Sequence, residues 1–228
     1  MSLFRSALLE TISHSNIPLG SNLLLIGPPG TGKTVLCETL ICEAAKNGAK
    51  TIYVTLDRTP KDIRKRNRQL GADFGGNNKY PVFVDGHSWL VGESGEQYHV
   101  GNLSNLSELS VKLITVSSEL GEGAFFIFDS ISTLLVYNSE NEVERFLDVN
   151  MTRMKHINDV GIWVLEQGIH SESFYNVLRH MADGTLEMRI RDDDELKRFI
   201  RMHSFKGISH STEWRSFTIS KDGLAVVG

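Results

Sequence analysis

The chain has 228 residues, 23% of them charged and 40% hydrophobic, and a formal net charge of −4. That balance gives no global attraction to nucleic acid or to an anionic membrane surface, and no apolar run approaches the length of a bilayer span or a signal-peptide core. The two cysteines, Cys37 and Cys42, lie five apart on one expected helix and so on different faces; buried free thiols and a reduced, cytoplasmic setting are expected rather than a disulfide or metal pair.

In chain order, the first element is Leu23-Leu24-Leu25-Ile26, a short apolar run expected as a strand buried on both faces. It runs into Gly27-Pro28-Pro29-Gly30-Thr31-Gly32-Lys33-Thr34, which fits the phosphate-loop pattern G-x-x-x-x-G-K-[ST]. Glycines let such a loop turn tightly and bring its N–H groups against phosphate oxygens. Lys33 supplies a point charge near the terminal phosphates, and the Thr34 hydroxyl can join a Mg²⁺ shell. A helix over 35–45 follows, so Val35 sits where a positive helix N-terminus faces the phosphates. Residues 27–35 are therefore the expected nucleotide contacts.

Residues 51–56 form the next expected strand, ending at Asp57-Arg58. Lys61, Arg64, Lys65, Arg66 and Arg68 then make a dense basic run on a helix, read first as a solvated face and otherwise as a surface for an acidic partner or nucleic-acid backbone. After a strand over 82–85, the Gly-rich stretch 86–102 is expected as a surface loop. Phe125-Phe126-Ile127-Phe128-Asp129 is an apolar strand ending in a carboxylate, the arrangement that carries Asp to the edge of a parallel sheet beside a phosphate loop to hold Mg²⁺. Beyond Asn138, Val143, Phe146, Leu147, Met151 and Met154 recur at helical spacing. A fifth strand over 162–167 ends in Glu166-Gln167, of which the neutral amide of Gln167 is the better phosphate partner. The last third changes character. Leu186, Met188 and Ile190 alternate with Glu187, Arg189 and Arg191, a charged turn follows at 192–195, and strands over 196–205, 214–220 and 224–227 complete an antiparallel meander. The expected fold is α/β: a doubly wound, mostly parallel sheet flanked by helices, extended by C-terminal antiparallel strands in a single domain over 1–228.

Asp129-Ser130-Ile131-Ser132-Thr133-Leu134-Leu135 resembles the D-S-[IL]-S-x-L stretch of KaiC-like ATPases in the RecA/RadA superfamily. Ile17-Pro18-Leu19-Gly20-Ser21, Val54-Thr55-Leu56-Asp57-Arg58, Ala182-Asp183-Gly184-Thr185 and Lys206-Gly207-Ile208-Ser209-His210 fall at corresponding places. The resemblance implies a RecA-like phosphate-loop core, ATP with Mg²⁺ at the sheet edge, and often a hexameric ring or filament in which a neighbour completes the site; a monomer or a dimer stays open.

Three departures bear on activity. Where the family places a water-polarising glutamate, often doubled, this chain has Asp57 and Arg58; Asp57 is the candidate for orienting water, or else a strand-end carboxylate paired with Arg58 or Lys61. Where the family offers a Lys and an Arg to the neighbour's terminal phosphate, this chain has Ser204 and Lys206, so Lys206 is the candidate cation or a solvated lysine. The stretch before the phosphate loop is short and lacks the family's Leu-Asp and triple-glycine segment. The segment 168–183 corresponds to the mobile loop that contacts DNA in RecA and RadA, yet it holds Arg179 as its sole Arg and no Lys, a poor surface for tracking phosphates. Three functions stay open: a slow Mg²⁺-dependent ATPase with Lys33, Asp57, Gln167 and Lys206 as working residues and Thr34 and Asp129 on the metal; an ATP-binding switch that seldom turns over; and a recombination accessory. No zinc signature and no serine-hydrolase elbow occurs.

Overall fold

The computed structural model describes residues 3–69, 80–92, 94–192 and 195–227. Among the described residues, ten strands form one sheet. Near its centre lies β3 (Asn22–Gly27), all six residues of which are buried. It pairs in parallel with β8 (Val160–Glu166) on one side and β9 (Gly184–Asp192) on the other. The parallel ladder continues from β8 through β7 (Phe125–Asp129), β4 (Thr51–Thr55) and β5 (Val82–Asp85) to a short edge strand, β6 (Tyr98–His99). From β9 the sheet turns antiparallel through β10 (Leu196–Phe205), β11 (Arg215–Ser220) and β12 (Gly223–Val226). A separate two-stranded ribbon pairs β1 (Leu3–Phe4) with β2 (Ile17–Pro18).

Residues alternate across each strand, so the sheet separates two apolar layers. Leu23 and Leu25, with Phe125 and Ile127, pack toward α1 (Ala7–Ser13), α2 (Lys33–Lys46) and α3 (Pro60–Gln69). Leu24 and Ile26, with Phe126, Phe128 and Trp163, pack toward α4 (Leu106–Leu120), the one-turn α5 (Ile131–Leu134), α6 (Glu140–His156) and α7 (Glu172–Met181). Central strands buried on both faces need such continuous apolar runs. The α6 start is set by a capping box between Ser139 and Glu142.

Both cysteines are free and buried, as expected. Three expectations are revised. The stretch 86–102 lies largely at the surface, as expected, but is not loop throughout: buried Asp85 accepts the backbone N–H groups of His87 and Ser88, both at 3.0 Å, and the Ser94 hydroxyl at 2.6 Å, and the chain returns as β6. The segment 168–183 is largely the helix α7, because Phe174, Tyr175 and Leu178 at helical spacing are buried against the sheet. Arg64 and Arg66 of the basic run are ion-paired, to Glu96 and Glu38, so that helix face is not simply solvated. The charged turn at 192–195 lies partly outside the described residues, at Asp193 and Asp194.

Candidate functional site

In a parallel sheet, ligands bind outside the carboxyl ends of the strands. Here β3, β4, β7 and β8 all end on one edge, over a cleft of about 330 Å³ lined by the phosphate loop, Asp57, Arg58, Asp129, Ser130 and Glu166, with Ile219 from β11 at its rim. The loop leaves β3 at Gly27, whose missing Cβ would sit 2.7 Å from the Met188 carbonyl oxygen. It enters α2 through Gly32 at φ +101°, where a larger residue is strained and would displace the Ile219 side-chain tip. No side chain caps α2, leaving its first-turn N–H groups for an anion.

Lys33 is buried, and its Nζ donates to the carbonyls of Gly27 at 2.7 Å and Pro28 at 2.9 Å and pairs with Glu166 Oε2 at 3.0 Å. Thr31 is turned inward, its hydroxyl donating to the Pro28 carbonyl at 2.9 Å, so it shapes the loop from within. Pro29 and Gly30 are exposed at the loop crest, and Val35 lines the cleft from α2.

Asp129, at the end of β7, is 5% exposed. Tyr53 donates its hydroxyl to Asp129 Oδ2 at 3.0 Å. Burial, then the nearby Asp57, push the Asp129 carboxyl up to about 6, while hydrogen bonds from Tyr53 and Thr34 and the charge of Arg58 pull the other way. A buried carboxylate beside a second one and a threonine hydroxyl is a hard-oxygen environment short of positive charge, which fits Mg²⁺. Among the described residues no cluster of three or more His, Cys, Asp or Glu could hold a metal by itself. Mg²⁺ that takes most of its shell from phosphates and water needs no such cluster.

Asp57 is exposed in the cleft, and its carboxylate accepts the Ser130 hydroxyl at 3.1 Å and the Thr133 hydroxyl. It makes no ion pair with Arg58 or Lys61; two hydroxyls from the turn after β7 hold it instead. Of the strand-end pair, the structure places Glu166 against Lys33, whereas Gln167 is exposed and tied to the loop by its backbone N–H, which donates to the Gly27 carbonyl at 3.0 Å. Gln167 follows the last residue of β8 and does not line the cleft, so Glu166 stands where the amide is expected. Lys206 is exposed and donates to the His180 carbonyl, so it is not brought to this chain's own cleft.

Glu38 belongs to no motif along the chain and emerges only in the structure. It sits in α2, fully buried, with Arg66 Nε at 2.7 Å and Arg58 Nη1 at 3.7 Å. Burial pushes its carboxyl up to about 7 despite the two arginines. A charged residue amid apolar helix positions was the available signal.

Comparisons with known proteins agree with this geometry. Residues 7–228 match the family model described as ATPase: KaiC. A UPF0273 protein of Pyrococcus horikoshii is 27% identical over 224 residues, covering 95% of this chain and 90% of that protein. The circadian clock oscillator protein KaiC of Parathermosynechococcus lividus is 26% identical over 225 residues, which cover 95% of this chain and 40% of that protein. The solved structure of a KaiC-like protein from Pyrococcus horikoshii matches with a TM-score of 0.77 at 19% identity over 100% of both chains, a likeness of fold. The match over nearly the whole chain, on a sheet that presents a phosphate loop at its carboxyl edge, places this protein in the KaiC-like ATPase family.

Proposed function

We propose that this chain binds ATP with Mg²⁺ in the cleft at the carboxyl edge of the sheet and hydrolyses it slowly. The observation that carries the reading is the convergence of Lys33, Thr34, Asp129 and Asp57 on one cleft around an uncapped helix N-terminus. Loop N–H groups and Lys33 would hold the phosphates, with Lys33 exchanging its loop carbonyls and Glu166 for phosphate oxygens. Thr34 and Asp129 would hold Mg²⁺, which supplies charge neutralisation on the phosphates when bound. Asp57, held by Ser130 and Thr133, would orient the attacking water. Phosphate release by wild type and Asp57→Ala tests this. Wild-type turnover above background that falls about tenfold or more in the variant is expected, and equal rates at background would remove the assigned chemistry.

A second reading is an ATP-binding switch that seldom turns over. It is favoured by Asp57 being one methylene shorter than the family's glutamate and already engaged by two hydroxyls. Tight ATP binding without turnover, and a nucleotide-dependent mass by light scattering, would select it over the first. The recombination-accessory reading draws no support from the segment 168–183, whose aromatics Phe174 and Tyr175 are buried in α7 rather than offered to bases. Ring, filament or dimer assembly, with Lys206 reaching a neighbour's phosphate, remains part of the proposal and is tested by the same mass measurement.

A further inference from the structure

Glu38 is a buried carboxylate, paired with two partly exposed arginines, that the proposed chemistry does not use. The carboxylate is fully buried on the helix that the phosphate loop starts, and neither oxygen receives a well-directed hydrogen bond. A buried charge without partners is strongly disfavoured, so the arginines are what keep it tolerable there. They are not equivalent. Arg66, from α3, closes on Oε2 at 2.7 Å, whereas Arg58 stands at 3.7 Å from Oε1 and is 44% exposed. Because Arg66 alone pairs the carboxylate at short range, Arg58 can leave without stranding Glu38. It has somewhere to go: Arg58 lines the same cleft as Lys33, Thr34 and Asp129 and immediately follows Asp57. A guanidinium there presents a planar fork of donors that matches phosphate oxygens.

We propose that Arg58 is a terminal-phosphate ligand supplied from within the chain, moving from Glu38 to the γ-phosphate of a bound nucleoside triphosphate, and that Glu38 is the positioning residue that keeps it at the mouth of the cleft. This rests on the ATP reading and deepens it. The residue that cannot act as a base where the family has a glutamate supplies positive charge to the terminal phosphate from the same chain. Discrimination between tri- and diphosphate then belongs to each single chain, whatever its assembly.

The test measures Kd values of the full chain, with Mg²⁺, for ADP and for a non-hydrolysable ATP analogue. Wild type is expected to favour the triphosphate by about tenfold or more; Arg58→Ala is expected to bring the ratio close to one with ADP affinity changed less than about twofold, and Arg58→Lys to recover part of it. Glu38→Gln is expected to shift triphosphate affinity while leaving ADP affinity in place; a purely structural role would move both together, and an unchanged ratio removes Glu38 from the assignment. Mixing Arg58→Ala with Lys33→Ala chains is expected not to restore discrimination. Restoration would overturn the in-chain origin. A wild-type ratio near one, or an Arg58→Ala ratio equal to wild type, overturns the inference alone. Failure of wild type to bind either nucleotide overturns the ATP reading and the inference with it.

Discussion

Asp129 and Asp159 stand at opposite edges of the sheet, and burial pushes both carboxyls up to about 6. Their surroundings differ in kind. Asp159, in the turn between α6 and β8, is fully buried and accepts the backbone N–H of Ala124 at 2.7 Å just before β7. Its Oδ1 is held by a fixed backbone donor where β7 begins, and its Oδ2 is buried without a partner among the described residues and opens onto no cleft. Asp129 ends β7, receives only hydroxyl donors from Tyr53 and Thr34, and faces an open cleft with Asp57 beside it. A shifted pKa therefore does not mark a site by itself. The site is the edge where the shifted carboxylate has a cleft, a second carboxylate and a helix N-terminus around it.

The same contrast runs through the rest of the two edges. At the amino edge, Asn22 accepts the Trp163 indole N–H at 2.9 Å and donates to the Met151 carbonyl at 3.0 Å, while its own backbone N–H goes to Asp183 at 2.9 Å. Every one of these pairs closes within the fold. At the carboxyl edge, Lys33 is held by two carbonyls and a carboxylate that an incoming phosphate could replace.

If the carboxyl edge is the binding edge, Lys33→Ala is expected to weaken ATP affinity about a hundredfold, near 3 kcal/mol, with little change in melting temperature. Calorimetric titration of both forms checks it, and equal affinity would break the contrast at its strongest point. Asn22→Leu should do the reverse. It leaves the Trp163 N–H buried without a partner and strips the Met151 carbonyl of its side-chain donor, for a loss of about 2.5 kcal/mol of stability in urea unfolding, while nucleotide affinity in the folded protein stays within about twofold. Asp159→Asn probes the buried carboxyl that has no cleft. A carboxyl whose folded pKa, about 6, lies above its unfolded value of 3.8 binds more protons in the native state, so its contribution to stability falls as pH rises through that window. Relative to wild type, the variant is expected to gain about 2 kcal/mol between about pH 4 and pH 7, read as the pH dependence of unfolding midpoints; a flat difference would show that the charge is not penalised there. The smallest effect tests the metal. EDTA is expected to weaken ATP binding by wild type about tenfold, near 1.4 kcal/mol, and to have little effect on Asp129→Asn; an equal response in both would take Asp129 off the metal.

Much of this was legible along the chain. Residues 23–26, 82–85 and 125–129 read as strands because both their faces are buried, so local composition alone marks them, and β3, β5 and β7 lie there. The phosphate loop was equally plain, since its glycines answer to backbone geometry that nothing else satisfies. The N-terminal ribbon of β1 and β2 and the helix α1 carried no comparable signal, being too short for periodicity to register. The helix α7 is less legible, because its position matches a loop in the family pattern while Phe174, Tyr175 and Leu178 give only a short helical spacing.

The amino-acid sequence by itself determined the phosphate-loop pattern, the carboxylate at the end of β7 and the alternation that makes one sheet with two apolar layers, because each depends on residue type at fixed local spacing. Only the tertiary structure decided that Glu166 rather than Gln167 meets Lys33, that Ser130 and Thr133 hold Asp57, and that Glu38 draws Arg58 and Arg66 together. Those pairings join residues from different strands and helices. Which side chain of a strand-end pair faces the loop, and which charge a buried carboxylate finds, is fixed by how the elements pack rather than by any pattern within one of them.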